Sequence, residues 1–107
     1  MARDFTKVGV VGLGTMGTGI AEVLARHGVE VVGVEVDDKA TARAQAMIES
    51  STARAVEGEK ITEDERTDLL GRVTLSSQLS SVADCQLVIE ALPENLDLKV
   101  TTLRELN

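Results

Sequence analysis

Between Lys7 and Glu35 the chain reads KVGVVGLGTMGTGIAEVLARHGVEVVGVE, and this stretch limits the folds open to it. Val8-Gly9-Val10-Val11 is an apolar run of strand length that stops at glycines. Gly12, Gly14 and Gly17 make the pattern G-x-G-x-x-G. A helical pattern starts at once, with Met16, Ile20, Val23 and Leu24 recurring at the spacing that sets one face on a sheet. Gly28 closes that helix, and Glu30 to Val34 reads as a second strand that delivers Glu35 at its end. Gly12 permits the tight turn, Gly14 lets backbone approach a pyrophosphate, and Gly17 lets helix and strand pack closely. The helix N-terminus offers unpaired N–H groups to phosphates, and an acid about twenty residues on accepts hydrogen bonds from a ribose. Glycines used only for packing a generic strand-turn-helix would explain the loop, but not the acid at the end of the second strand.

With 107 residues, the chain is long enough for one small domain with a modest core. Its formal net charge is −7 and Phe5 is its only aromatic residue. Such a surface repels phosphate backbones and offers no platform for stacking bases, so nucleic acid is not an expected partner. A nucleotide must therefore be held locally, by backbone and helix dipole. The single Cys85 has no internal disulfide partner, which fits a reducing cytoplasm, and its expected role is that of a small core hydrophobe. Neither a signal peptide nor a membrane span is read in the sequence, and a cytoplasmic location is the expectation.

Residues 1–6 read as a loose tail and 7–107 as one domain. Asp37 or Asp38 caps a long helix to Glu57, with Ala44, Ile48, Ser51 and Ala55 on one stripe and Met47 beside them. Gly58 ends it. Thr62-Glu63-Asp64-Glu65 is a capping box for a short helix that stops near Gly71. Val73-Thr74-Leu75 and Leu87 to Ala91 follow as strands, joined by a Ser-rich connector with a helical turn at Ser80 to Ala83. After Pro93, Asn95 starts a last helix with Leu96, Val100, Leu103 and Leu106 on its apolar stripe. The alternation predicts an α/β, Rossmann-type doubly wound parallel sheet of strand order 3-2-1-4, with helices on both faces. The passage from Asp37 to Arg72 exceeds one crossover and reads as an inserted helical hairpin projecting from the sheet. Strands one and four border the switch-point crevice, so the loop Ala91-Leu92-Pro93-Glu94-Asn95 is expected to face the glycine loop, with Glu94 and Lys99 toward the nicotinamide end of a cofactor. Glu94 and Asn95 as plain helix-start residues and Lys99 as a solvated charge are the ordinary alternative.

GLGTMGTGIA, the acid-ended VVGVE, the inserted hairpin and LVIEALPENLDLK together resemble the NAD-binding domain of the 3-hydroxyacyl-CoA dehydrogenase family, from Lys7 to Asn107. That resemblance implies oxidation of L-3-hydroxyacyl-CoA to 3-ketoacyl-CoA with NAD, in fatty-acid or hydroxybutyryl-CoA metabolism. It assigns Gly12, Leu13, Gly14, Thr15, Met16 and Gly17 to the dinucleotide loop. Glu35 matches the ribose-binding acid, usually Asp in relatives, and Ala91, Glu94 and Lys99 match positions that contact the nicotinamide half. On the hairpin, Ser51 matches a coenzyme A contact, with Lys60 a looser match to a phosphate contact. A small residue at a helix–helix contact explains Ser51 as well, and a solvated charge is the better reading of Lys60. The family's catalytic His, its orienting Glu, and the Ser and Asn that handle the substrate oxygen follow in the next part of the fold. No catalytic residue and no metal site is therefore expected within 1–107, and His27 falls far from the cleft. A helical domain that completes the site and forms a homodimer is expected beyond this segment. Glu35 predicts NAD over NADP, because its charge repels a 2′-phosphate and no Arg adjoins it in sequence, although Lys39 would soften the preference. Two other readings use the same opening: a short-chain 3-hydroxyacid dehydrogenase, which would lack the hairpin, and a non-catalytic NAD-binding or redox-sensing module.

Overall fold

A computed structural model describes residues 5–92 and 97–102. Strand β1 (Lys7–Val11) leads through α1 (Thr15–Arg26) to β2 (Glu30–Val34). Helices α2 (Asp38–Glu57) and α3 (Glu63–Gly71) form the hairpin, and β3 (Val73–Ser76) follows. A 3₁₀ turn at Leu79–Val82 then connects to β4 (Leu87–Leu92) and β5 (Asp97–Thr102). The sheet runs β3-β2-β1-β4-β5, so the expected order 3-2-1-4 is present with one further strand at its edge. The pairs β1–β2, β1–β4 and β2–β3 are parallel.

The final segment departs from expectation. Residues 97–102 are not helical but form β5, antiparallel to β4 from Leu92↔Asp97 to Leu87↔Thr102. Val100, Thr101 and Thr102 are β-branched and suit a pleated surface, and their pairing satisfies the backbone edge that β4 would otherwise expose. Of the expected helical stripe, Leu96, Leu103 and Leu106 lie outside the described residues, and Val100 is 57% exposed on the strand.

Helix α1 is rolled relative to the expected face. Its buried residues are Gly17, Thr18, Ala21 and Ala25, whereas Val23 is 55% exposed. Small side chains at these positions let the helix axis settle close to the sheet, and closeness outweighs the bulk of Val23. Ala21 and Ala25 join Val10, Leu13, Val31, Ala44 and Leu69 in one core cluster, so α1, α2 and α3 all pack on the same face. The hairpin is thus anchored at its base rather than simply projecting. The opposite face has no long helix among the described residues; Val82 and Cys85 of the 3₁₀ connector pack there on Val32, Val34 and Val88. Cys85 is fully buried, as a small core hydrophobe should be.

Within the hairpin, Thr52 rather than Ser51 occupies the buried stripe, along with Ala44, Ile48 and Ala55. The Thr52 hydroxyl donates to the Ile48 carbonyl at 2.8 Å and accepts from Arg66 Nε at 3.0 Å. Arg66 also donates to the Glu49 carbonyl, so one guanidinium fastens α3 to α2. The capping box is present as expected, Thr62 and Glu65 each bonding the other's backbone N–H. At the amino end, the Gln86 side-chain oxygen accepts from the backbone N–H groups of Thr6 and Lys7, which ties the start of β1 to the chain just before β4.

Candidate dinucleotide site

The loop between β1 and α1 is held by the two strands flanking β1. Gly12 takes φ +90°, which a residue with a Cβ rarely adopts, and its N–H donates 2.9 Å to the Val34 carbonyl of β2. On the other side its Cα lies against the Ala91 carbonyl oxygen of β4, where an added Cβ would overlap backbone. Gly17, in the first turn of α1, faces the Gly12 carbonyl oxygen more closely still. Backbone therefore packs on backbone across β4, the loop and α1. Leu13, only 3% exposed, drops beneath the loop, its Cδ atoms crowding the place a Gly33 Cβ would take, the nearer 2.9 Å from it.

Gly14 is different. It is exposed, its φ of −73° suits any residue, and a Cβ there would meet nothing within 4 Å. Packing within the protein does not require this glycine. The open space lies at the N-terminus of α1, where Gly14 supplies no side-chain cap and the first turn contains no acid. Both other long helices are capped by side chains, Asp37 bonding Ala40 N and Thr62 bonding Glu65 N, with acids in their first turns. The α1 terminus thus retains N–H donors and a positive dipole end facing an accessible space that a Cβ would fill, the chemistry a pyrophosphate needs.

Glu35 leaves the end of β2 and turns toward that loop. Its Oε1 accepts from Leu13 N, and its Oε2 accepts from Val36 N at 3.1 Å. Each carboxylate oxygen has a second lone pair, so the group is fixed yet able to accept from two adjacent hydroxyls. With Gly14 and Thr15 on one side and Ala40, Arg43 and Met47 of α2 on the other, Glu35 borders a cleft of about 340 Å³. The residues present therefore fit a dinucleotide: a phosphate-binding helix end, a sugar-binding acid and a partly apolar pocket beside it.

The expected site residues divide into groups. Gly12, Leu13, Gly14, Thr15, Met16, Gly17, Glu35 and Ala91 come together around this loop. Ser51, half-buried, lies one turn beyond Met47 along α2. Lys60 is exposed in the turn after α2, a 20-residue helix and so about 30 Å from end to end. Lys99 stands opposite Glu90 on the antiparallel edge strand and is exposed, and Glu94 lies outside the described residues. His27, at the C-terminus of α1, bonds the Val23 carbonyl near Phe5, beside a groove other than the Glu35 cleft. Sequence reasoning missed Arg43, which borders the cleft with Glu35 although eight positions separate them. The signal was there: Ala40, Arg43 and Met47 share a helix face at spacings of three and four.

A parallel sheet of this order with a glycine turn at its switch point and an acid ending β2 is a dinucleotide-binding domain. The sequence gives the class a family. The model of the 3-hydroxyacyl-CoA dehydrogenase NAD-binding domain matches residues 7–107, and the chain belongs to that family. It is 43% identical over 107 residues to a 3-hydroxybutyryl-CoA dehydrogenase of Mycobacterium tuberculosis, covering all of this chain and 37% of that protein. A peroxisomal bifunctional enzyme of Cavia porcellus is 38% identical over 99% of the chain, which spans 14% of that protein. Among solved structures, M. tuberculosis FadB2 superposes with a TM-score of 0.81 at 46% identity, over 82% of this chain and 31% of that one. The (S)-3-hydroxybutyryl-CoA dehydrogenase PaaH1 of Ralstonia eutropha gives 0.79 at 38% identity, over 82% and 31%. The chain thus spans about a third of the length of these 3-hydroxybutyryl-CoA dehydrogenases, and its cofactor is NAD.

Proposed function

We propose that this domain holds NAD for the interconversion of L-3-hydroxyacyl-CoA and 3-ketoacyl-CoA in fatty-acid or hydroxybutyryl-CoA metabolism. The backbone from Gly12 to Gly17, including Leu13, Thr15 and Met16, would hold the pyrophosphate. Glu35 would accept from the adenosine ribose, and Ala91, Glu94 and Lys99 would serve the nicotinamide half. Bound NAD supplies the hydride acceptor. Ser51 on α2, with Lys60 beyond it, would meet the coenzyme A chain. The base that removes the hydroxyl proton would come from a helical domain outside 1–107, which would also form a homodimer. A cytoplasmic setting fits this assignment, with neither nucleic acid nor membrane as partner.

One observation carries the reading: Glu35 is bonded to the glycine loop beside an uncapped helix end with open space at Gly14. The test is oxidation of NADH by the full-length protein with acetoacetyl-CoA, followed at 340 nm, alongside binding of NADH and NADPH. Turnover with NADH, and a narrower NADH/NADPH affinity gap in Glu35→Ala, are expected. Tight NADH binding without turnover would favour the non-catalytic module, and an unchanged affinity ratio in Glu35→Ala would remove the ribose role.

A further inference from the structure

Arg43 is exposed on α2 and borders the Glu35 cleft, yet among the described residues no hydrogen bond or ion pair takes up its charge. Each acid close to it in sequence is engaged elsewhere. Glu35 accepts from Leu13 N and Val36 N, Asp37 caps α2 through Ala40 N, and Asp38 accepts from Ser77. Among the described residues the one ion pair is Lys7–Asp84, and it does not involve α2. The guanidinium, a flat cation with five N–H donors, is thus available at the rim of the cleft. Beside it on the same helix face are the Ala40 methyl and the Met47 thioether, both lining the cleft.

With Glu35 assigned to the ribose, whatever is attached to that sugar falls next to this wall. A methyl, a thioether and a planar cation together suit the face of a flat, electron-rich ring, and the Glu35 carboxylate in the same cleft disfavours an anionic group there. Resting on the NAD reading above, we infer that Arg43 packs its guanidinium on the adenine ring, with Met47 completing the wall, and so sets affinity for the adenosine half of the coenzyme. Its charge is not a 2′-phosphate receptor, because the Glu35 carboxylate shares the same cleft and repels that phosphate.

Binding to the full-length protein tests this by calorimetry, with NADH, NADPH, ADP-ribose and reduced nicotinamide mononucleotide as probes. Arg43→Ala is expected to weaken NADH and ADP-ribose alike, by about three- to tenfold, the range of a partly exposed cation–π contact. It should leave the mononucleotide unchanged and shift NADPH by the same factor as NADH. Arg43→Lys should recover only part of the loss, since an ammonium keeps the charge but not the plane. ADP-ribose binding within twofold of wild type in Arg43→Ala overturns the inference, as does a loss confined to NADPH. Glu35→Ala separates the two layers: if it loses ADP-ribose while Arg43→Ala does not, only the stacking role fails. If wild type binds neither NADH nor ADP-ribose, the coenzyme reading fails with it.

Discussion

Gly17 and Gly19 lie two residues apart in α1, and the structure predicts opposite consequences for the same substitution at each. A Cβ at Gly17 would overlap the Gly12 carbonyl oxygen and stand 2.9 Å from the Gly12 carbonyl carbon. Gly12 cannot retreat, because its N–H is tied to Val34 and its Cα already rests on the Ala91 carbonyl. The strain must lift the start of α1 off the sheet, at a typical overpacking cost of about 1–3 kcal/mol. Alanine recovers about 1 kcal/mol through its helix propensity, leaving Gly17→Ala destabilised by up to about 2 kcal/mol. At Gly19 a Cβ meets nothing within 4 Å, so only the propensity term remains and Gly19→Ala gains about 0.5–1 kcal/mol. For a domain of this size that corresponds to a Tm lower by up to about 15 °C for Gly17→Ala and about 2–8 °C higher for Gly19→Ala. Thermal unfolding followed by circular dichroism reads both. Equal shifts in the two variants, or a stabilised Gly17→Ala, would refute the close packing of α1 on the loop.

The remaining predictions concern the site, the hairpin and the start of β1. Gly14→Ala should cost at most about 1 kcal/mol of stability, as a change at a helix N-cap with room for the methyl, yet weaken NADH binding at least tenfold in calorimetry; retained affinity would show that no phosphate approaches there. Thr52→Val leaves Arg66 Nε without its acceptor at a part-buried position, so a loss of about 1–2 kcal/mol is expected in urea unfolding, with faster amide exchange in α3 than in β1. Asp84 beside Lys7 raises the lysine pKa above its ordinary value of 10.5. A raised cation pKa stabilises the fold fully below the unfolded value and loses that contribution as pH rises through the folded one. Lys7→Gln should therefore differ slightly from wild type in Tm at pH 7–9, with the gap closing above the folded pKa.

Most of the site was legible because it is written in local sequence. The glycine spacing, the following helix and Glu35 lie within one βαβ unit, and the strand order then follows from crossover handedness. What escaped depended on distances between elements. Periodicity marked Val23 as buried and Ser51 as part of a core stripe, but the helix settles on its smallest residues, Gly17, Ala21 and Ala25, and the hairpin buries Thr52 because Arg66 satisfies its hydroxyl. Arg43 escaped for a similar reason: it stands eight positions from Glu35 in sequence, and only the helix returns it to the cleft, after more than one turn. Residues 97–102 carry both a helical spacing of apolar groups and a run of β-branched ones. Pairing with the exposed edge of β4 decided between them, and edge pairing has no local sequence signal.

The loop geometry also explains why the stability and affinity of this domain are separable. Gly12 and Leu13 are fixed by the flanking strands through Val34, Ala91 and Glu35, so the phosphate-binding turn is built by the sheet itself. A turn already held in its working shape loses little conformational freedom when a ligand arrives, which leaves more of the contact energy as affinity. Gly12 and Gly17 thus belong to the fold, while Gly14, unconstrained by any neighbour, belongs to the ligand. Glu35 would belong to both: its bond to Leu13 closes the loop, and its remaining lone pairs would accept from the sugar of a bound coenzyme. Substituting Glu35 with Gln should keep an acceptor for Leu13 and hold the Tm close to wild type while lowering the repulsion toward NADPH. Substituting it with Ala should lose both, because the hydrogen bond and the charge come from the same carboxylate.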